Sequence, residues 1–156
     1  MQDNGVSDVE GDPKGVAYRK ILVPFDGSKG SWKALRKALL LAQEQEAEVT
    51  VLSVEEHLPR YAATVGEVDE EKEQENVYFS QLHRQATALA QEFGLDLKAE
   101  ILAGHAAQTI VRYTRAQQFD LIVIGHSGHS GAWGALLGST TARVVDHAPC
   151  DVLVAR

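Results

Sequence analysis

The chain has 156 residues, of which 44% are hydrophobic, and this is enough apolar material for the core of one domain. Its formal net charge is −7 and it has no basic tract, so we expect neither a nucleic acid nor a membrane surface as a partner. No apolar run reaches about 18 residues, which argues against a membrane span. A single cysteine, Cys150, excludes an internal disulfide, and the acidic start lacks the features of a signal peptide. We therefore expect a cytoplasmic protein.

The first half of the chain predicts two strands and two helices behind a disordered tail. Residues 1–17 are polar and lack hydrophobic periodicity, which is typical of disorder, so the folded domain is predicted over residues 18–156. The elements predicted here are a strand at 20–25, a helix at 30–45, a strand at 49–54 and a helix that starts near the acidic stretch 69–75. Asp26-Gly27-Ser28 is a turn and helix-cap signal after the first strand, and Gly94 is typical of a residue that ends a helix.

The second half continues the alternation. Its predicted elements are a half-buried edge strand at 95–101, a helix at 107–114, a fully apolar strand at 121–124, a helix at 139–147 and a last strand at 152–154. In the last helix, Ala142 and Val145 are predicted to face the core. Cys150, just before the last strand, is predicted to be a small buried group.

Strands and helices that alternate in this way indicate a parallel sheet. We expect an α/β domain with a five-stranded parallel sheet, doubly wound with helices on both faces, Rossmann-like, in the strand order 3-2-1-4-5. Ligands of such sheets bind at the carboxyl ends of the strands, where the strand order reverses. With the reversal between the first and fourth strands, Asp26 and the segment after Ile124 face one crevice.

That segment, residues 125–141, contains a glycine-rich loop, which follows a strand and ends at Gly138-Ser139, where the next helix begins. Glycines let backbone N–H groups approach an anion, and a helix N-terminus offers unpaired N–H groups and the positive end of its dipole. The loop therefore predicts a phosphate site, carried mainly by Gly125, Gly128, Gly138 and Ser139. Asp26, across the crevice, can accept hydrogen bonds from ribose hydroxyls or from an adenine amine.

Other phosphate and nucleophile motifs do not fit this loop. A Walker loop needs a lysine after its last glycine, but Ser139 follows Gly138 directly and residues 99–156 contain no lysine. The dinucleotide fingerprint G-x-G-x-x-G is absent. The nucleophile elbow G-x-S-x-G is missed by one residue, since Ser127 is followed at once by Gly128.

The loop and two further segments resemble the universal stress protein family, in the ATP-binding subgroup marked by G-x2-G-x9-G-[ST]. Here that motif comprises Gly125, Gly128 and Gly138-Ser139. The resemblance extends from about residue 18 to the C-terminus. It includes the opening ILVPFDGS, the run DLIVIG before the loop and HAPC before the last strand.

The resemblance implies an ATP-binding domain that forms a homodimer through its last strand, with Mg²⁺ held mainly by the phosphates. The residues that it implies around the adenosine part are Pro24, Phe25, Asp26, Val54, Ile124 and Gly125. Those that it implies around the phosphates are Gly128, Gly138, Ser139 and Thr140. We therefore expect a stress-response regulatory protein that acts as a nucleotide-dependent switch. No catalytic base, arginine finger or lysine is predicted near the phosphates, so ATP hydrolysis is expected to be slow at most.

The sequence leaves several alternatives open. The protein could be a nucleotide-free dimeric interaction module or a weak adenine-nucleotide hydrolase, and the ligand could be AMP or another adenine nucleotide. Asp26 and Ser139 could serve as helix caps. His126 and His129 could bind a metal or lie near the phosphates. Asp151 stands where the family usually has proline, which puts the usual dimer geometry in question.

Overall fold

The computed structural model describes residues 17–56, 65–127 and 136–156, so the predicted tail lies, apart from residue 17, outside the described residues. In the described part, strands and helices alternate as the sequence predicts. The strands are β1 (Lys20–Pro24), β2 (Glu48–Glu55), β3 (Leu97–Ala103), β4 (Leu121–Gly125) and β5 (Asp151–Ala155). The helices are α1 (Lys29–Gln45), α2 (Val65–Glu92), α3 (Ala106–Gln117) and α4 (Ser139–His147).

The five strands form one parallel sheet in the order β3-β2-β1-β4-β5, which confirms the predicted order and the edge position of β3. In register, Ile21 of β1 lies between Val49 of β2 and Leu121 of β4. The chain runs from β1 to β2 on one side and returns later to β4 on the other. The strand order therefore reverses between β1 and β4, and a crevice is expected at their carboxyl ends.

Alternate residues of the strands pack into two cores, one on each face of the sheet. Ile21 and Val23 of β1 pack against α1 and α2 on one face. Leu22 points to the opposite face, where it packs with Ile110 of α3 and Val144 of α4. Because a strand alternates its side chains between faces, the apolar run of β1 serves both cores. This confirms the doubly wound arrangement with helices on both faces.

Helix α4 has the predicted bounds but buries a different face, so the prediction for Val145 is wrong. Val145 is 42% exposed and Ala142 is half-buried, whereas Thr141 and Val144 are buried. Thr141 is tolerated inside because its hydroxyl donates a hydrogen bond to the carbonyl oxygen of Gly125 at 2.7 Å. A pattern of apolar residues alone does not reveal a threonine that is buried through such a bond.

Helix α2 begins at Val65, ahead of the acidic stretch where its start was predicted. Its end confirms the signal at Gly94, which has φ of 71°, while the N–H of Leu95 donates to the carbonyl oxygen of Ala90 at 3.0 Å. Although α2 has 28 residues, neither it nor another helix in the described part of the chain is long and apolar enough to cross a membrane.

Candidate functional site

A cavity of about 420 Å³ opens at the carboxyl ends of β1 and β4, where the strand order reverses. Its size lies within the range of about 300–1,000 Å³ that is usual for small-molecule sites. The predicted site residues that the structure describes all line this cavity: Pro24, Phe25, Asp26, Val54, Ile124, Gly125, Gly138, Ser139 and Thr140. The remaining predicted residue, Gly128, lies outside the described residues.

The turn between β1 and α1 fixes Asp26 beside the cavity. Its Oδ1 accepts a hydrogen bond from the N–H of Ser28 at 2.9 Å, and the Ser28 hydroxyl oxygen accepts one from the N–H of Ser31 at 3.2 Å. Gly27 has φ of 81°, a left-handed conformation that favours glycine. Ser28, and not Asp26, is thus the cap of α1. Since a carboxylate has about four acceptor positions, the turn contact of Asp26 is compatible with a ligand contact.

Two backbone hydrogen bonds hold the base of the glycine-rich loop. The N–H of Gly138 donates to the carbonyl oxygen of His126 at 2.9 Å, and the N–H of His126 donates to that of Ala155 in β5 at 2.9 Å. Gly138 is the N-cap of α4 and provides no side-chain cap, so Ser139 is the first helical residue rather than the cap. The first N–H groups of a helix lack partners within it. The first turn of α4 therefore presents N–H groups and a positive dipole end at the cavity.

Gly125 packs directly on the backbone of α1. A Cβ atom on Gly125 would lie 2.6 Å from the carbonyl carbon of Gly30, and one on Gly30 would lie 2.4 Å from the carbonyl oxygen of Ser127. Neither glycine has room for a side chain. Gly125 therefore has a packing role in addition to its place in the cavity lining.

Two carboxylates that sequence reasoning missed also line the cavity. Glu56 directly follows β2, and its Oε1 accepts a hydrogen bond from the N–H of Ala106 at 2.8 Å. It caps α3, where His105 makes no side-chain cap. Glu75 enters the lining from α2. The position of Glu56 at the end of a strand is the same signal that identified Asp26, and it was available from the sequence.

The electrostatic character of the cavity follows from its lining. The described lining residues include three carboxylates and neither lysine nor arginine. An anionic group bound here would therefore meet backbone N–H groups and hydroxyls rather than cationic side chains. The other lining residues that sequence reasoning missed are Ser28, Ser31, Leu52, Ala106, Ile110, Ser127 and Thr141.

A buried hydrogen-bond chain lies behind the cavity wall. The Ser53 hydroxyl of β2 donates to the carbonyl oxygen of Phe25 at 2.6 Å, and its Oγ lies 2.8 Å from Nε2 of His83 in α2. Because the hydroxyl has a single proton, Nε2 of His83 carries the proton that joins it to Ser53. Ser53 is 1% and His83 is 8% exposed, and burial lowers the pKa of His83 below its ordinary value. The pair has the composition of a nucleophile and its base, but Ser53 does not line the cavity.

Of the two histidines that the sequence singles out in the loop, only His126 is among the described residues, and it does not line the cavity. His126 contributes its backbone to the loop base, and its buried Nε2 has no hydrogen-bond partner among the described residues. His129 lies outside the described residues, so the H-x-x-H pair stays a prediction. Among residues 17–56, 65–127 and 136–156, no three histidine, cysteine or acidic side chains cluster in a way that could hold a metal.

The fold and the cavity define the class of this protein as a doubly wound α/β domain whose cavity lies at the reversal of a 3-2-1-4-5 sheet. The chain belongs to the universal stress protein family, whose sequence profile matches residues 17–156. It is 33% identical over 146 residues to a universal stress protein of Methanocaldococcus jannaschii, and the match covers 89% of this chain and 82% of that protein.

Solved structures of the same family share the fold. The universal stress protein UspA from Lactobacillus plantarum is 33% identical to this chain and superposes with a TM-score of 0.84, over 91% of this chain and 100% of that one. A universal stress protein solved in complex with cAMP is 25% identical and superposes with a TM-score of 0.71, over 90% of this chain and 99% of that one.

Proposed function

We propose that this chain binds an adenine nucleotide, ATP with Mg²⁺, in the cavity between β1 and β4, and that it acts as a nucleotide-dependent switch in a stress response. One observation carries the proposal: Asp26 and the first turn of α4, far apart in sequence, line the same cavity. A carboxylate suits the hydroxyl and amine donors of a nucleoside, and unpaired N–H groups suit phosphate oxygens.

The apolar part of the lining fits the nucleoside end. Val54 of β2 and Ile124 of β4 line the cavity together with Pro24 and Leu52. These side chains offer an apolar surface for the faces of a purine ring. Asp26 lines the same cavity and would accept hydrogen bonds from ribose hydroxyls or from the adenine amine. Pro24 and Phe25, which precede Asp26, would form the adjoining wall.

The first turn of α4 fits the phosphate end. Gly138, Ser139 and Thr140 line the cavity, and Ser127 lines it from the other end of the loop. The N–H groups of this turn and its dipole favour an anion, and hydroxyls would donate to phosphate oxygens. Gly128 would complete this contact from the loop. Because the described lining has no cationic side chain, Mg²⁺ held by the phosphates would reduce their charge when a triphosphate binds.

The connection between the loop and β5 supports a switch. The N–H of His126 donates to Ala155 of β5, so the loop base and the last strand are joined by a hydrogen bond. Strand β5 lies at an edge of the sheet, and its residues Val152, Leu153 and Val154 are only half-buried. An edge strand of this kind suits pairing with a second copy of the chain. A nucleotide that orders the loop would thereby alter the surface through which a cytoplasmic homodimer forms or meets a partner.

A nucleoside monophosphate is the second candidate ligand. A relative that is 25% identical to this chain was solved in complex with cAMP. The contacts proposed for adenine and ribose would be the same whether the ligand has one phosphate or three. The three carboxylates of the lining repel a highly charged anion, which favours the monophosphate.

The direct test is to purify the protein, denature it and identify any nucleotide that it releases. Thermal unfolding is then measured with millimolar ATP, with and without Mg²⁺, and with AMP and cAMP. A ligand that binds only the folded state raises the unfolding temperature by an amount that grows with the ratio of its concentration to its dissociation constant. GTP serves as the control for base recognition. The proposal is overturned if no nucleotide is released and no adenine nucleotide raises the unfolding temperature.

A further inference from the structure

We propose that His83 is a positioning residue for this cavity: through Ser53 it holds the backbone of Phe25 and Asp26 in the binding arrangement, and its protonation weakens nucleotide binding. The inference rests on the proposed function for the identity of the ligand. The coupling between His83 and the Asp26 turn rests on the geometry alone.

Helix α2 contacts the β1–α1 turn directly at Asp26 and Gly27, and it reaches Phe25 through Ser53 of β2. The Tyr78 hydroxyl lies 3.4 Å from the carbonyl oxygen of Asp26, which it approaches as a donor. Leu82 packs over Gly27, since a Cβ atom on that glycine would lie 2.7 Å from Cδ1 of Leu82. His83 reaches the residue before Asp26 through Ser53. The placement of the turn therefore depends on where α2 sits.

Phe25 transmits the position of Ser53 to Asp26. Its N–H donates to the carbonyl oxygen of Leu52 at 2.8 Å, and its own carbonyl oxygen accepts the proton of Ser53 at 2.6 Å. Its ring is buried against Trp32, with the ring centroids 4.9 Å apart. With both backbone groups and the ring engaged, a shift of Ser53 moves the peptide that carries Asp26.

A second proton on His83 has no favourable place in this arrangement. Nε2 already carries the proton donated to Ser53, so a further proton goes to Nδ1 and gives a buried cation. In the described sequence, the charged residues next to this pair are Arg84, which follows His83 on α2, and Glu55, two positions beyond Ser53 on β2, while Asp26 follows Phe25 in the turn. The positions of β3 that share this face of the sheet carry no charge: Leu97, Ala99 and Ile101. Desolvation by burial lowers the pKa of His83. The carboxylates of Glu55 and Asp26 therefore do not stabilise the protonated imidazole enough to offset its burial.

The direction of the pH effect follows from this. An exposed histidine has a pKa of about 6.5, and that of buried His83 lies lower. Acidification below about pH 6.5 therefore favours conformations in which the ring leaves its site, and it costs the Ser53 contact. Nucleotide affinity is expected to stay constant near neutral pH. It then falls by at most tenfold for each pH unit below the pKa of His83 in the free protein.

The test measures the dissociation constant of cAMP, and of ATP with Mg²⁺, by calorimetry from about pH 7.5 to about pH 5.5. The cAMP phosphodiester keeps one charge over this range, so the ligand does not titrate. His83→Gln keeps an N–H donor for Ser53 but cannot gain a charge. It is expected to bind within about threefold of the wild type at neutral pH and to lose the pH dependence. His147→Gln, at the exposed end of α4, is the matched control and should keep the wild-type profile.

A second readout needs no nucleotide and separates this inference from the proposed function. In NMR titrations, the amide signals of Asp26 and Gly27 should shift with the titration of the His83 ring in the wild type. They should not do so in His83→Gln, nor in Ser53→Ala, where the ring still titrates but the link is gone. If no nucleotide binds at any pH, the proposed function is wrong. The NMR titration still tests whether His83 is coupled to the Asp26 turn. The inference is overturned if the amide signals of Asp26 and Gly27 do not shift as His83 titrates. It is also overturned if nucleotide affinity in His83→Gln depends on pH as it does in the wild type.

Discussion

Gly30 and Gly125 approach each other so closely that a methyl group on either would collide with backbone atoms rather than with a side chain that could turn away. The contact joins the first turn of α1 to the end of β4, and both elements line the cavity. Gly125, at the start of the loop, is therefore required for packing whether or not a ligand binds.

Gly125→Ala is expected to destabilise the protein by about 1–3 kcal/mol, since overpacking against backbone atoms forces the chain to shift. Urea unfolding followed by circular dichroism measures this. Gly66→Ala is the matched control, because nothing lies within 4 Å of its added methyl group on exposed α2. The control should be neutral, or stabilising by up to about 1 kcal/mol. Equal stability of Gly125→Ala and the wild type would show that the contact does not constrain the fold.

The fold could be predicted because its signals are local. The run Ile21-Leu22-Val23 is apolar without alternation, and the structure buries it on both faces of the sheet. The residues 121–124 behave in the same way at the neighbouring strand. With helices between the strands, such runs define a parallel sheet, and the position of the cavity follows from the strand order.

The internal supports of the site could not be predicted, because they join polar residues that are distant in sequence. The chain from His83 through Ser53 to Phe25 and the bond from Thr141 to Gly125 depend on how helices pack on the sheet. A hydrophobic pattern carries no information about such pairs. The same limitation explains why the buried face of α4 was assigned wrongly. The contribution of Gly128 stays a prediction.

Gly138→Val is expected to lower nucleotide affinity at least tenfold and to leave the fold cooperative. Gly138 has φ of −56° and ψ of 151°, which valine adopts without strain, so the added bulk acts on the cavity that this residue lines. Calorimetric titration with ATP and Mg²⁺ measures the affinity, and urea unfolding checks the fold. Ala88→Val, on the exposed face of α2, is the control and should bind as the wild type does. Wild-type affinity in Gly138→Val would place the phosphates elsewhere.

Asp26→Asn is expected to weaken nucleotide binding by about 10- to 100-fold, because it removes a charged hydrogen-bond acceptor worth about 1.5–3 kcal/mol. The asparagine oxygen still accepts the N–H of Ser28, so stability should change little. Asp120→Asn provides the comparison: its carboxylate accepts the N–H groups of Arg19 and Lys20 at the opposite end of the sheet. If Asp26→Asn binds the nucleotide as tightly as Asp120→Asn does, Asp26 does not contact the ligand.

Tyr18, ahead of β1, donates its hydroxyl proton to Oδ2 of Asp151 at the start of β5, over a distance of 2.8 Å. Asp151 therefore has a partner within its own chain. The hydrogen bond from the hydroxyl to the carboxylate is the main cause that raises the pKa of Tyr18 above 10.0, since ionisation of the phenol would break it and place two negative charges together.

Asp151→Ala is expected to return the pKa of Tyr18 toward its ordinary value, as measured by NMR titration of ring-labelled tyrosine. In the wild type, the folded-state pKa lies above the unfolded value of about 10. The contact therefore stabilises the fold below that pH, and its contribution is lost as pH rises through the folded pKa. Because the hydrogen bond itself is exposed to solvent, its effect on stability is expected to be small. Asp96→Ala, at another exposed aspartate, should leave the Tyr18 titration unchanged. If Tyr18 titrates alike in Asp151→Ala and in the wild type, the contact is not what raises its pKa.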